Sequence, residues 1–213
     1  TPHMADGVYN ITPRETRRGV ARVNEACAEV GIDLHVLPGG EVRVAAGLFE
    51  MIEAGEVLTL GDAGTHVLLE LGPGPAPPLK GLIAELLQQG ITPVLGHPER
   101  HPEFWRRPGP LTDWAQQGCL YQVTAASLTG RLGRRARKLS RAMVEAGMVH
   151  AVASDAHSSR GKRRSVLDRA HRWLSRTAGR RVAQHLMVEA PGIMIGVQAA
   201  GGPGHNRELH NSR

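Results

Sequence analysis

The sequence predicts an α/β fold built on a parallel β-sheet, and three observations predict it. Short apolar runs of strand length alternate with segments of helical periodicity along most of the chain. The strand-like runs are mostly apolar rather than alternating, as in a sheet covered on both faces. Four helical segments stop at a glycine, at Gly31, Gly90, Gly118 and Gly147, where a left-handed cap needs no Cβ.

Each element follows in order. Thr12-Pro13-Arg14-Glu15 opens a helix with a Thr cap, Pro at the first helical position and an acid in the first turn. Val20, Val23, Ala26, Cys27 and Val30 continue it at helical spacing. Residues 35–42 read as a first strand running into the Gly39-Gly40 turn, with Glu41 behind it. Residues 65–71 read as a second strand ending near Glu70, followed by a Pro/Gly loop over 72–78 and a helix over 79–89. A third short strand at 91–96 leads into His97, and a helix covers 111–117. Residues 119–123 form a fourth strand, 134–146 a long helix, and 148–153 a fifth strand. Residues 165–187 are mostly helical, with a break near Gly179. The Gly-rich, polar stretch 201–213 is expected to be disordered, leaving 1–200 as one domain. An open doubly wound sheet and a closed barrel share this pattern; the polar residues at the strand ends favour the barrel.

Composition narrows the function. Of 213 residues, 41% are hydrophobic and 22% charged, as in a soluble globular domain. There is no apolar run of membrane-spanning length, and the first residues lack the basic and apolar regions of a signal peptide. A cytoplasmic location is therefore expected, and two cysteines make no disulfide framework. The net charge of +6 comes almost wholly from arginine, since lysine stands only at Lys80, Lys138 and Lys162. Such charge favours anionic partners, but 3% aromatics leave little for bases to stack on, so nucleic acid is not the expected partner. A thiol phosphatase needs an arginine six residues after its cysteine; Asp33 follows Cys27 and Ala125 follows Cys119 at that spacing. Phosphate-loop, dinucleotide and nucleophile-elbow motifs are also missing.

The polar residues where strands end carry the positive signal. Glu41, Glu70, His97, and Asp155 with His157 fall at successive strand ends, and His3 precedes the first loop. Singly, each reads as a solvated, capping or surface residue. Together they would converge on one rim, where mixed carboxylate and imidazole sets suit Mn²⁺, Zn²⁺ or Fe. Two or more ions a few ångströms apart could bridge a phosphate, with Glu41 a natural carboxylate to lie between them.

At these residues the chain resembles the polymerase and histidinol phosphatase (PHP) superfamily. Within it, the likeness is to capsule and exopolysaccharide tyrosine-protein phosphatases of the CpsB/YwqE type. Gly39-Gly40-Glu41-Val42, Leu69-Glu70-Leu71, Gly96-His97-Pro98-Glu99-Arg100 and Ala153-Ser154-Asp155-Ala156-His157 carry the likeness, with Thr1-Pro2-His3, over residues 1 to about 198. The resemblance implies a distorted (β/α)7 TIM-like barrel with two or three metal ions, usually Mn²⁺. It implies that Glu41 bridges two ions, that Glu70 and His97 complete one site, that Asp155 serves another, and that His3 and His157 serve a third. Arg100 looks like the arginine that holds the substrate phosphate, and Arg160 is a candidate for substrate binding. The implied reaction is hydrolysis of phosphotyrosine by metal-activated hydroxide. The implied partner is the tail of a bacterial tyrosine kinase that controls polysaccharide synthesis. The family's opening Asp-x-His-x-His strand and its Asp-Asp-Gly turn are not in this sequence, so the first βα unit is expected to be lacking. Past His157, Arg160-Gly161-Lys162-Arg163-Arg164 replaces the family's Arg-Pro-Pro.

Two other readings stay open: a phosphoesterase for a small metabolite such as histidinol phosphate, and a non-catalytic relative that binds without hydrolysing. The basic helix at 134–141 reads as a solvated face, whereas Arg160, Lys162, Arg163 and Arg164 are placed to attract an acidic phosphopeptide. His101 reads as a loop residue; His35, His66, His150, His171 and His185 read as structural or exposed.

Overall fold

The computed structural model describes residues 1–197 apart from Asp6, Asn10 and Lys162. The stretch expected to be disordered, 201–213, and the part played by Lys162 lie outside the described residues. Among the described residues, six parallel strands lie side by side in chain order: β1 (His3–Met4), β2 (Glu41–Arg43), β3 (His66–Glu70), β4 (Thr92–Gly96), β5 (Leu120–Thr124) and β6 (Ala151–Ala153). Helix α1 (Pro13–Glu29) joins β1 to β2, and α2 (Leu48–Glu53) lies between β2 and β3. Helices α3 (Lys80–Gln88) and α4 (Gly109–Gln116) fill the next two connections. Helices α5 (Ala125–Leu128) and α6 (Arg134–Glu145) lead to β6. The chain then runs through α7 (Leu167–Thr177), α8 (Arg180–Gln184), a π-helical turn (His185–Glu189) and α9 (Ala190–Met194).

Local chemistry explains the boundaries. The Thr12 hydroxyl accepts from the Glu15 N–H at 3.2 Å, and the Thr12 N–H donates to the Glu15 carboxylate at 2.9 Å, a capping box that starts α1 at Pro13. Residues 35–40 are not the expected strand. The amide of Asn24 both donates to the Val36 carbonyl (2.9 Å) and accepts from the Val36 N–H (2.8 Å), so a side chain on α1 takes the bonds a ladder would have used. The strand begins only at Glu41, which lies inside β2 rather than behind it, and His3 sits in a strand rather than before a loop. The C-terminal helices run seven residues past Met187: the π-helical turn His185–Glu189 passes directly into α9, with Pro191 in its first turn.

Strand order decides the architecture's hand. A doubly wound sheet reverses its strand order, and this sheet has no reversal. Right-handed crossovers that always step the same way put their helices on one face. There Val67, Leu69, Leu95, Tyr121, Val123 and Val152 pack with Ile83, Leu86, Leu111, Trp114, Leu128, Met143 and Leu174 in the main core. Burying each of the larger aliphatic side chains stabilises the fold by about 1.5–3 kcal/mol. On the opposite face Leu68, Val94 and Ala151 pack against Met194 of α9, with Leu60 and Leu120 beside them. Gly61 lets α9 close in: its φ of +67° suits glycine, and a Cβ there would strike the carbonyl of Ile195. No helix among the described residues is long and apolar enough to cross a membrane.

Candidate metal centre

Strand register assembles the first part of the site. His3 pairs with Glu41 across β1 and β2, and Arg43 with Glu70 across β2 and β3. Period-two alternation sends His3, Glu41, Arg43 and Glu70 to the inner face. His3 Nδ1 stands 3.4 Å from Glu41 Oε2 and 3.3 Å from Glu70 Oε2. His97 Nε2 comes from the other side, 2.8 Å from Glu41 Oε1 and 3.7 Å from Glu70 Oε1. Two carboxylates thus face each other with an imidazole on either flank, and His3, Glu41 and Glu70 each offer a ligand atom within 4.8 Å of the others.

The backbone is bent to achieve this. His97 adopts φ +35° and Asp155 φ +47°, a region that costs a non-glycine residue about 1–3 kcal/mol. The left-handed His97 turns the chain from β4 into a 3₁₀ turn, Pro98–Arg100, with its N–H held by the Gln122 carbonyl at 2.7 Å. Gly96 gives the clearance: a Cβ there would lie 3.0 Å from Glu41 Oε1.

The second part lies across the cavity. Asp155 is not bonded to the first cluster but to two arginines: Arg100 Nη1 at 2.7 Å and Arg163 Nη2 at 3.0 Å from Oδ2. Arg163 Nη2 also approaches both ring nitrogens of His157, at 2.8 and 2.9 Å. The ring centroids of His157 and His3 are 6.4 Å apart, so the two parts meet. Glu41, His97, Asp155 and His157 line one cavity of about 470 Å³, together with Gln122 and Met194. Arg160 is not drawn in: its side chain is exposed, and its carbonyl accepts from Ser158 Oγ.

Three residues at the site escaped sequence reasoning as contacts. Arg43 donates to Glu70 at 3.1 Å and stands two residues from Glu41, so strand alternation was a usable signal. Gln122 shares the register of Gly96, and its buried Nε2 has no hydrogen-bond partner among the described residues. Arg163 reaches Asp155 because it lies back against His157, its carbonyl accepting from the His157 N–H at 2.9 Å, which no spacing reveals. His101, read as a loop residue, is buried against Phe104 with ring centroids 5.1 Å apart.

Electrostatics follow from burial and pairing. Burial works to raise the Glu41 pKa, but the hydrogen bond and charge of His97, with His3 and Arg100, outweigh it and hold the carboxyl below its ordinary value. Burial works to lower the His97 pKa, and the Glu41 bond and charge overcome it and raise it. Glu99, one turn behind, is fully buried, and burial pushes its carboxyl up even though the Thr124 N–H donates to it at 3.0 Å. Cys119 is buried with its thiol pushed up to about 12, which leaves no thiolate for nucleophilic work.

The donor set fits a metal ion. A buried carboxylate, Glu41, and a half-buried one, Glu70, this close repel unless positive charge lies between them. His3 Nδ1 is buried beside both, yet makes a hydrogen bond with neither. Fold and site together define a class: parallel α/β proteins with a carboxylate–histidine cluster on the inner face of the sheet, able to hold a metal. The comparisons narrow it. The family model described as "Capsular polysaccharide synthesis, CpsB/CapC" matches residues 1–196, and the chain belongs to that family. The tyrosine-protein phosphatase YwqE of Bacillus subtilis (strain 168) is 34% identical over 159 residues, 74% of this chain and 62% of YwqE. The tyrosine-protein phosphatase CpsB of Streptococcus pneumoniae is 25% identical over 201 residues, 92% of this chain and 82% of CpsB. A solved chain from the crystal structures of these two proteins, described as unique metal-dependent tyrosine phosphatases, superposes with a TM-score of 0.86 at 30% identity. That match covers 93% of this chain and 80% of the other. The chain therefore spans less than two thirds of YwqE's length.

Proposed function

We propose that this chain is the catalytic part of a metal-dependent phosphotyrosine phosphatase. The observation that carries the reading is the meeting of His3, Glu41, Glu70 and His97 in one cluster, of which Glu41 and His97 line a cavity shared with Asp155 and His157. Glu41 would lie between two ions, with Glu70 and His97 at one and Asp155, His157 and His3 at the others. The cofactor is Mn²⁺, two or three ions, a metal that mixed carboxylate and imidazole ligation suits. The ions, when bound, supply Lewis acidity and lower the pKa of the water that attacks phosphorus.

The protein's own groups supply the rest. Arg100 is anchored on Asp155 through Nη1, which leaves the other arm of its fork for phosphate oxygens. Arg163 adds a second positive group at the same carboxylate. Arg160 acts at longer range, drawing an anionic substrate toward the rim. Residues 1–200 form the unit, an arc of a distorted (β/α)7 barrel. The unbroken strand order and Met194 packed on the inner face support that arc. The substrate is a phosphotyrosine protein, the tail of a tyrosine kinase that governs capsule or exopolysaccharide synthesis, in the cytoplasm.

A panel assay tests the reading. The Mn²⁺-loaded protein should release phosphate from phosphotyrosine peptides, lose that activity to chelator and keep it in vanadate. Preference for histidinol phosphate over phosphopeptides would replace the substrate class. No release from either, with metal bound, would contradict catalysis.

A further inference from the structure

A cleft adjoins the metal cluster at Glu70 and His97. Its first part, about 230 Å³, is lined by Arg43, Glu70, His97, Arg100 and Pro102. At Pro102, and where Pro73 passes to Gly74, it meets a second part of about 430 Å³. That second part is walled by Trp105, Glu103, Arg106, Arg107 and Arg135. None of these five takes part in the proposed hydrolysis.

The second part is a fixed, positive wall. Trp105 Nε1 donates to the Glu99 carbonyl at 2.8 Å, which pins the indole to the turn that carries Arg100. The Arg135 guanidinium carbon lies 5.3 Å from the Trp105 ring centroid, close enough for a cation–π contact that orients it. Glu103 is the lone carboxylate of the lining; its Oε2 accepts from the Ala76 N–H at 2.6 Å, and its single charge against three guanidinium groups leaves the wall net positive. Among the described residues, Arg106, Arg107 and Arg135 make no ion pair with a carboxylate. Three unpaired guanidinium groups gathered in a cleft repel one another and raise the local concentration of anions. The floor between them is short and carries one indole, whose face Arg135 already covers. Nucleic-acid grooves instead present successive open aromatic rings.

From this we infer that the arginine cleft seats an acidic stretch of polypeptide adjoining the phosphorylated residue, so that Asp or Glu side chains on one side of the phosphotyrosine are read along with the phosphate. The inference rests on the phosphatase reading for its substrate. It also assigns the basic start of α6 a ligand rather than solvent alone.

The test measures binding apart from catalysis. A fluorescent Glu-rich peptide without phosphate is titrated into metal-free protein and followed by anisotropy, beside a length-matched Gln-rich peptide. We expect the Glu-rich peptide to bind at least about tenfold tighter, with the margin shrinking as ionic strength rises from low to physiological. The triple variant Arg106→Glu, Arg107→Glu, Arg135→Glu should abolish the margin. Arg22→Glu, Arg180→Glu, Arg181→Glu makes the same charge change on exposed parts of α1 and α8 and should keep it. Circular dichroism melting confirms that both variants fold. Equal loss in both would reduce the effect to net charge and overturn the cleft, as would a margin that survives in the first variant. Tighter binding of single-stranded oligothymidylate than of the acidic peptide would overturn it in favour of nucleic acid. Failure of the broader reading looks different. Selective acidic-peptide binding with no phosphate released from phosphotyrosine peptides supports the cleft and sinks the phosphatase. Phosphate release without any acidic preference does the reverse.

Discussion

Glu41 has two opposed demands on it. It is almost wholly buried, which disfavours its charge, yet His97 at 2.8 Å and His3 at 3.4 Å keep it ionised. A buried carboxylate held charged by imidazoles is prepared to trade them for a metal cation. His150 shows the contrary case, a histidine built to stay neutral. Burial lowers its pKa from 6.5, helped by the nearby charge of His185, and its Nδ1 accepts from the Tyr121 N–H at 3.1 Å. An imidazole whose folded pKa lies below its unfolded value binds fewer protons when folded. Its stabilising contribution is whole above pH 6.5 and is lost as pH falls through the folded value. His150→Asn keeps an acceptor and removes the titration. We therefore expect the urea midpoint of the parent to drop more than that of His150→Asn when pH is lowered from about 8 to about 5.5. Equal drops would contradict this assignment. The sequence marked His150 only as structural or exposed, and residue identities at strand ends marked Glu41, Glu70 and His97. It could not reveal that Asp155 is first bonded to Arg100 and Arg163, because that depends on how a glycine- and arginine-rich turn folds back.

Strands β3 to β6 and helices α1, α3, α4, α6 and α7 were legible in the sequence, for the same physical reason. Each is long enough, or apolar enough, for its periodicity to stand out. Strands β1 and β2, of two and three residues, are too short to show alternation, and they carry His3 and Glu41. What fixes them is tertiary: a neighbouring β3, and Asn24 holding Val36 out of the sheet. The end of β4 links element to site. Gly96 has ordinary strand backbone, so alanine there adds no dihedral strain, only a methyl 3.0 Å from Glu41 Oε1 and 3.3 Å from the Leu69 carbonyl. Gly96→Ala should cost about 1–2 kcal/mol in urea unfolding and weaken metal binding by displacing Glu41. A variant as stable as the parent, with unchanged metal affinity, would show that β4 and Glu41 are not packed as described.

At the scale of the molecule, unbroken strand order gathers Glu41 of β2, Leu68 of β3 and the turns after β4 and β6 around one cavity, with His3 of β1 beside Glu41. The parallel α/β class was readable from alternating elements, whereas the inner face was not, because Met194 reaches it from a helix that continues through Pro191. Membership of the CpsB/CapC family agrees with the arrangement. The proposed chemistry requires His3, Glu41, Glu70 and His97 to hold the bound cations between them, and calorimetric titration with Mn²⁺ tests this most directly. The parent should bind, Glu41→Ala should lose at least about tenfold in affinity while staying folded, and Asp168→Asn, on an exposed surface pair with Arg172, should bind as the parent does. Mn²⁺ binding by Glu41→Ala as tight as by the parent would contradict the account.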